Sequence, residues 1–330
     1  MKKVKWGVLS TANIGVGKVI PAMQLGKYCN LIAISSRSLE KAKAAAERLK
    51  IPKAYGSYEA LIADDEVEAV YIPVPNHLHL ELSIKALEAG KHVLCEKPIG
   101  MDSKEARHLL NTSKKYPDLK VMEAFMYRHH PQTLQTKKIL QAGTIGEVKN
   151  VHAVFTYHNI NPDDVRNQAD IGGGGLLDIG CYCISYARYM FDAEPLRVSG
   201  AVDYDPKMKI DRLASAVLEF ENGTATFSCS TQMLFYQKAI ISGEKGKIES
   251  NIPFTPAPDE KPKINILTQD GTKEMQFDAQ NQYTLQGDLF SQAILNNTKV
   301  FTPLEDALAN MKVIDAVFES ARTGSGVDII

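Results

Sequence analysis

The sequence predicts an α/β protein, a Rossmann-type doubly wound parallel sheet followed by a second α+β domain with a mostly antiparallel, open sheet. Over the first third of the chain, short apolar runs alternate with amphipathic segments, which is the pattern of βαβ units. Beyond about residue 124 the pattern changes to strand-like runs joined by turn signals such as Glu221-Asn222-Gly223 and Asp270-Gly271. A length of 330 residues also exceeds the usual size of one hydrophobic core. The expected domains are therefore 1–124 and 125–330.

In the first domain the expected strands cover 4–9, 31–35, 69–73, 92–95 and 120–122. Between them, 38–49 reads as a helix rich in alanine and lysine with Ser38 as its N-cap, and 78–89 as a helix that closes on Gly90. Right-handed crossovers between such strands leave a ligand crevice at their carboxyl ends. In the second domain a helix over 131–142 precedes strands over 148–157, 196–204, 214–220, 224–231, 238–242 and 263–268. Helices over 176–190, 283–295 and 304–322 interrupt or close that region. The proline-rich stretch 252–262 reads as a loop.

Composition removes several classes. With 44% hydrophobic and 23% charged residues the chain is globular. Its 38 basic and 39 acidic side chains are interspersed, so nucleic acid is not an expected partner. No run approaches the ~18 apolar residues of a membrane span. The start of the chain enters a strand pattern without the pattern of a secretory signal. The five cysteines show no Cys-x-x-Cys spacing and read as reduced thiols of a cytoplasmic protein with no metal site.

After the first strand, where a dinucleotide fold would carry Gly-x-Gly-x-x-Gly, this chain has Ser10-Thr11-Ala12-Asn13-Ile14-Gly15. Small residues at the three glycine positions still let backbone amides approach a pyrophosphate. At the end of the second strand an acid would bind a ribose diol, but here Ser36-Arg37-Ser38 precede the first acid, Glu40. Arg37 offers a planar fork of donors suited to a 2′-phosphate, so the expected cofactor is NADP(H) over NAD(H).

The stretch "HVLCEKP" then ends a buried strand in Glu96, Lys97 and Pro98. Oxidising a carbinol to a carbonyl couples hydride departure to loss of a hydroxyl proton, which calls for a base and a cation beside the oxygen. Lys97 is the candidate cation. Downstream, the glycines at 172–175 precede a helix on which Asp178 and Tyr182 are expected at i and i+4, on one face. A tyrosine, whose ordinary pKa is roughly 10, becomes a useful base near neutral pH when a cation stabilises its phenolate.

With these segments together, the sequence resembles the family of glucose–fructose oxidoreductase, inositol dehydrogenase and MocA-like proteins (Gfo/Idh/MocA) over essentially its whole length. The resemblance is carried by "GVLSTANIG", "PVPNHLHLELSIKALEAGKHVLCEKP", "GTIGEV" and "GGGGLLDIGCYCI", in that order. It is similar to the branch with NADP-dependent xylose and dihydrodiol dehydrogenases. The resemblance implies that Lys97, Asp178 and Tyr182 are catalytic. It also implies that Asn76, His79 and Glu96 lie near the nicotinamide end of a cofactor whose other end meets Ser10, Thr11, Ala12, Asn13, Ile14, Ser36, Arg37 and Ser38. His79 is held as the next candidate base after Tyr182. The expected substrate is a sugar, polyol or cyclic diol, with specificity set by loops around 158–170. The expected assembly is a homodimer or higher even oligomer formed through the uncovered sheet face. Two other activities fit the same motifs: redox-neutral glycoside cleavage with retained nucleotide, and a nucleotide-sensing regulatory protein.

Overall fold

The computed structural model describes residues 2–329. In the first unit, six short apolar runs pair in parallel: β1 (Val4–Leu9), β2 (Cys29–Ser35), β3 (Lys53–Tyr55), β4 (Ala69–Ile72), β5 (His92–Cys95) and β6 (Val121–Glu123). Their order in the sheet is β3-β2-β1-β4-β5-β6, so the winding direction reverses between β1 and β4. That reversal opens the crevice at the carboxyl ends of these two strands. The connecting helices are α1 (Ile20–Gln24), α2 (Leu39–Leu49), α3 (Tyr58–Ile62), α4 (His79–Glu88) and α5 (Ser103–Ser113). As expected, Ser38 caps α2, its Oγ accepting from Lys41 N at 3.3 Å, and the chain leaves α4 through Gly90 at a φ of +74°. β3, α3 and α5 add to the expected elements, the first two being too short to show a period.

The second unit begins with α6 (Pro131–Gln141) and builds a nine-stranded sheet. Its strands are β7 (Val148–His158), β8 (Arg197–Tyr204), β9 (Asp211–Phe220), β10 (Gly223–Ser230), β11 (Gln232–Gly243), β12 (Gly246–Ser250), β13 (Lys263–Thr268), β14 (Gly271–Gln276) and β15 (Val327–Asp328). The order is β14-β13-β12-β11-β7-β10-β9-β8-β15, antiparallel throughout except for β7 with β10. α7 (Cys181–Phe191) packs on β7 and β10. β11 starts six residues before the strand expected from 238, because a bulge between Gln232 and Tyr236 breaks the alternation that marks a strand. That bulge carries Met233, Leu234, Phe235 and Tyr236 outward, with Leu234 85% exposed.

The expected boundaries of 1–124 and 125–330 require a correction. The first unit comprises the residues up to Met126 together with Asn281–Leu308, and the second comprises Tyr127–Gln280 with the residues from Ala309. The returning segment contains α8 (Gln282–Leu295), and the boundary that follows falls within α9 (Leu304–Thr323). α8 belongs to the first core because Phe290 packs on Trp6 with ring centroids 5.6 Å apart, and Trp6 Nε1 donates to Ser291 Oγ at 3.1 Å. Asp288 accepts from the backbone of Lys27 and Tyr28 at 2.9 and 2.8 Å. An amphipathic pattern reveals that a helix has a face to bury, but not which sheet it covers.

Candidate active site

Within the first unit, Ser10, Thr11 and Ala12 after β1 meet Ser36, Arg37 and Ser38 after β2 around a cleft of about 320 Å³ that Lys41 and Tyr58 complete. Thr11 Oγ1 donates to Ser36 Oγ at 3.4 Å across it. Ser10 holds a φ of +135°, a conformation that glycine adopts freely and L residues rarely do, and its Oγ accepts from Ala12 N at 3.0 Å. The turn has kept the backbone of a glycine fingerprint under a serine. Asn13 and Ile14 lead into a π-helical turn over Gly15–Val19. Gly15 sits close to Pro73, where a Cβ would come within 3.3 Å of the proline ring. Two cations, three serines and a threonine around one cleft match a phosphate borne on an adenosine ribose, so these residues fit the 2′-phosphate of NADP. Sequence reasoning missed Lys41 and Tyr58. The Ser38 cap was the available signal for Lys41, because the residue three beyond an N-cap lies in the first turn beside it.

At the other strand ends, Asn76 opens a short turn over Asn76–Leu78 after β4, and Glu96 Oε1 accepts from Tyr71 Oη at 2.6 Å. The Lys97–Pro98 peptide is cis. His79 is fully buried, with Nδ1 2.7 Å from Pro98 O and Nε2 2.9 Å from Val74 O. Burial, opposed by the two carbonyls and reinforced by the Lys97 charge, holds the pKa of His79 down at about 4. The neutral ring has one N–H to donate to either carbonyl, and its place between Val74 O and Pro98 O sets His79 between the end of β4 and the loop carrying Lys97. The expected role of reserve base does not suit a ring held in this way.

Within the second unit, the helix expected over 176–190 begins as a π-helical turn, Leu176–Gly180, and becomes α-helical at Cys181. Asp178 lies in the wide turn and Tyr182 in the regular one, so the i,i+4 alignment expected of one α-helix is corrected by the wider winding between them. Asp178 Oδ2 accepts from Tyr157 Oη at 2.6 Å and lies 3.3 Å from Arg166 Nε. Burial, with the Asp178 charge adding to it, pushes the Tyr157 hydroxyl far above its usual range, so it remains a donor. Arg166 also pairs with Asp164 at 3.3 Å, which places the loop around 158–170 against the catalytic candidate. Tyr182 is 5% exposed among aromatic rings, its centroid 5.8 Å from Tyr127, 5.7 Å from Phe155 and 5.7 Å from Phe254. Phe254 comes from the proline-rich segment read as a loop. Neither Tyr157 nor Phe254 carries a local sequence signal.

Residues 4–125 match the model of the oxidoreductase family with an NAD-binding Rossmann fold, and 133–249 match the GFO/IDH/MocA C-terminal domain. The chain is 43% identical to the uncharacterized oxidoreductase ORF334 of Rhizobium meliloti, over 98% of this chain and 99% of that one. It is 36% identical to D-xylose 1-dehydrogenase (NADP(+)) 2 of Haloferax volcanii, again over 98% and 99%. Among solved structures it is similar to KijD10, a 3-ketoreductase from Actinomadura kijaniata in complex with NADP and TDP-benzene, with a TM-score of 0.90, 33% identity and 98% coverage of both chains. The protein belongs to the Gfo/Idh/MocA oxidoreductase family. It is an oxidoreductase whose first unit is that family's nicotinamide-dinucleotide-binding fold.

Proposed function

We propose that the protein is an NADP(H)-dependent dehydrogenase or reductase acting on a carbinol or carbonyl carbon of a sugar, polyol or cyclic diol. The observation that carries the cofactor choice is the cleft in which Arg37 and Lys41 join Ser36 and Ser38, where an NAD-specific fold would present an acid. The substrate class rests on the relatives, which include the NADP-linked xylose dehydrogenase and a trans-1,2-dihydrobenzene-1,2-diol dehydrogenase of Xenopus laevis that is 34% identical over 74% of the chain.

When bound, the nicotinamide accepts or gives the hydride. In the oxidative direction Tyr182 Oη takes the proton of the reacting hydroxyl, and in the reductive direction it returns it. The family resemblance assigns Lys97 the supply of positive charge as the proton leaves. Asp178, fixed by Tyr157 and Arg166, accepts from a neighbouring substrate hydroxyl and sets which carbon reacts. Asn76 and Glu96, with the loop that His79 secures, border the nicotinamide end. Ser10, Thr11, Ala12, Asn13 and Ile14 direct backbone amides to the pyrophosphate.

A panel of aldoses, inositols and dihydrodiols, read by NADP reduction at 340 nm, tests this reading. NADPH should appear with at least one member and NADH much more slowly. Substrate conversion without released NADPH would favour the redox-neutral activity, and tight nucleotide binding with no conversion would favour the sensor. We also place the protein in the cytoplasm, since its five cysteines are all free thiols. The assembly is a homodimer or higher even oligomer, supported by the exposed apolar run from Met233 to Tyr236. A monomer in light scattering at micromolar concentration would remove that assignment.

A further inference from the structure

The helix start that carries Asp178 and Tyr182 has no cap of its own. Its N-cap residue is Gly175, which has no side chain, and the first amides of any helix lack partners within it. The missing acceptor comes from another element. Asp211, the first residue of β9, lies 35 positions away in sequence and is 3% exposed, and its Oδ2 accepts from Leu176 N at 2.5 Å. Gly175 N donates to the same carboxylate. Gly174 stands at a φ of +121°, and a Cβ there would collide with Asp211 Oδ1. The glycine run is thus shaped around this carboxylate as well as around the chain's own turn.

We propose that Asp211 is a positioning residue for the reaction: from β9 it caps the Leu176–Gly180 turn and thereby sets where Asp178 and Tyr182 stand. The proposal rests on the roles given above to those two residues. A carboxylate at a helix start gains from the aligned peptide dipoles as well as from the two amides. Protonation would convert one of its oxygens into a donor and weaken that cap. Burial, opposed by the backbone amides and assisted by the Asp178 charge, raises Asp211 to about 7, so the cap loosens as pH falls through neutrality. The other groups facing it include Asp178 from the π-turn, Tyr204 from β8 and Cys229 from β10. Its neighbour Arg212 is paired with Asp203 on the exposed edge at 2.7 Å.

Two measurements test the proposal. The first uses the unaltered protein: amide hydrogen exchange at Gly175 and Leu176 is followed from pH 5.5 to 8.5 and corrected for intrinsic base catalysis. Protection should rise several-fold with an inflection near neutral pH, while amides within β10 show none. A flat corrected profile overturns the proposal whatever the substrate proves to be. The second measurement is Asp211→Asn, which keeps the volume but presents one acceptor and one donor to two amides. Its kcat should fall about tenfold or more and lose the limb near neutral pH, with NADP(H) affinity and melting temperature close to those of the wild type. Unchanged kcat, or equal loss of kcat and nucleotide affinity, overturns the positioning role. If no member of the substrate panel reacts, the exchange profile still decides whether Asp211 caps the turn.

Discussion

Tyr157 Oη donates to Asp178 Oδ2 at 2.6 Å, so a strand of the second sheet fixes the carboxylate proposed to orient substrate. The donor is half-buried and its partner is charged, a combination in which a hydrogen bond contributes about 1.5–3 kcal/mol. Tyr157→Phe should therefore lower kcat/KM by roughly tenfold or more while leaving NADP(H) binding unaltered. Steady-state kinetics with nucleotide titration by fluorescence measures both. Wild-type kcat/KM in the variant would detach Asp178 from catalysis.

Arg37 and Lys41 line the same cleft, the one proposed to receive the 2′-phosphate. Arg37→Ala should weaken NADP(H) by roughly ten- to a hundredfold and leave NAD(H) little changed. Lys41→Ala should shift the same ratio by less, because an exposed point charge is screened more than a bidentate fork. Equal losses for both nucleotides would make these residues structural.

Lys97→Met and Tyr182→Phe should each lower kcat by roughly 10²–10⁴-fold, far more than either alters nucleotide binding. The double variant should be little worse than the worse single one, since each group is useful through the other. Additive losses would show that the two act on separate steps.

Ser10 is strained at φ +135°, and substitution there separates backbone from side chain. Ser10→Gly relieves the strain but loses the bond to Ala12 N, so its melting temperature should stay near that of the wild type. Ser10→Val keeps the strain, adds a branched Cβ and loses the bond, at a cost of about 2 kcal/mol or more. Calorimetry should give the order glycine, serine, then valine well below. Valine at parity would mean that the turn adopts another conformation.

Acid should destabilise the fold well above the carboxylate range. Burial holds His79, His92 and His130 down at about 4 and His129 at about 3. The unfolded chain, with histidines near 6.5, binds more protons between roughly pH 4 and 6.5. This contribution is present above pH 6.5 and is lost as pH falls through the folded values. Asp211 runs the other way, because its raised pKa gives the folded state the extra proton between 3.8 and about 7. Four imidazoles outweigh one carboxyl, so urea midpoints should drop from pH 7.5 to pH 5, and His79→Gln should reduce the drop. Equal midpoints at the two pH values would contradict this.

The features legible in the sequence are those written in local chemistry. Ser38 announces its own helix, Gly90 ends another, and Glu96-Lys97-Pro98 stands at a strand end as its composition implies. Arg37 stands just past β2, where a dinucleotide fold keeps a fixed place for an acid. The features that were not legible depend on distant partners. Phe254 reaches Tyr182 from a segment without periodicity, Asp211 caps a turn 35 positions away, and α8 chooses its sheet by three-dimensional fit. The π-turn was hidden because Leu176–Met190 carries the same apolar composition whether it winds at 3.6 residues per turn or wider.

The return of α8 to the first core has a consequence for biosynthesis. Trp6 leaves the ribosome 285 positions ahead of Ser291, its hydrogen-bond partner, an interval of roughly 15–60 s at ordinary rates of translation. Throughout that time the face of β1 and α1 that Phe290 will cover is open to water and to other nascent chains, while nearly all of the second sheet has already emerged. The nucleotide-binding unit, first to begin, therefore cannot be completed until Asn281–Leu308 has emerged, and substitutions in Gln282–Leu295 should reduce the yield of folded enzyme even where they leave the finished active site intact.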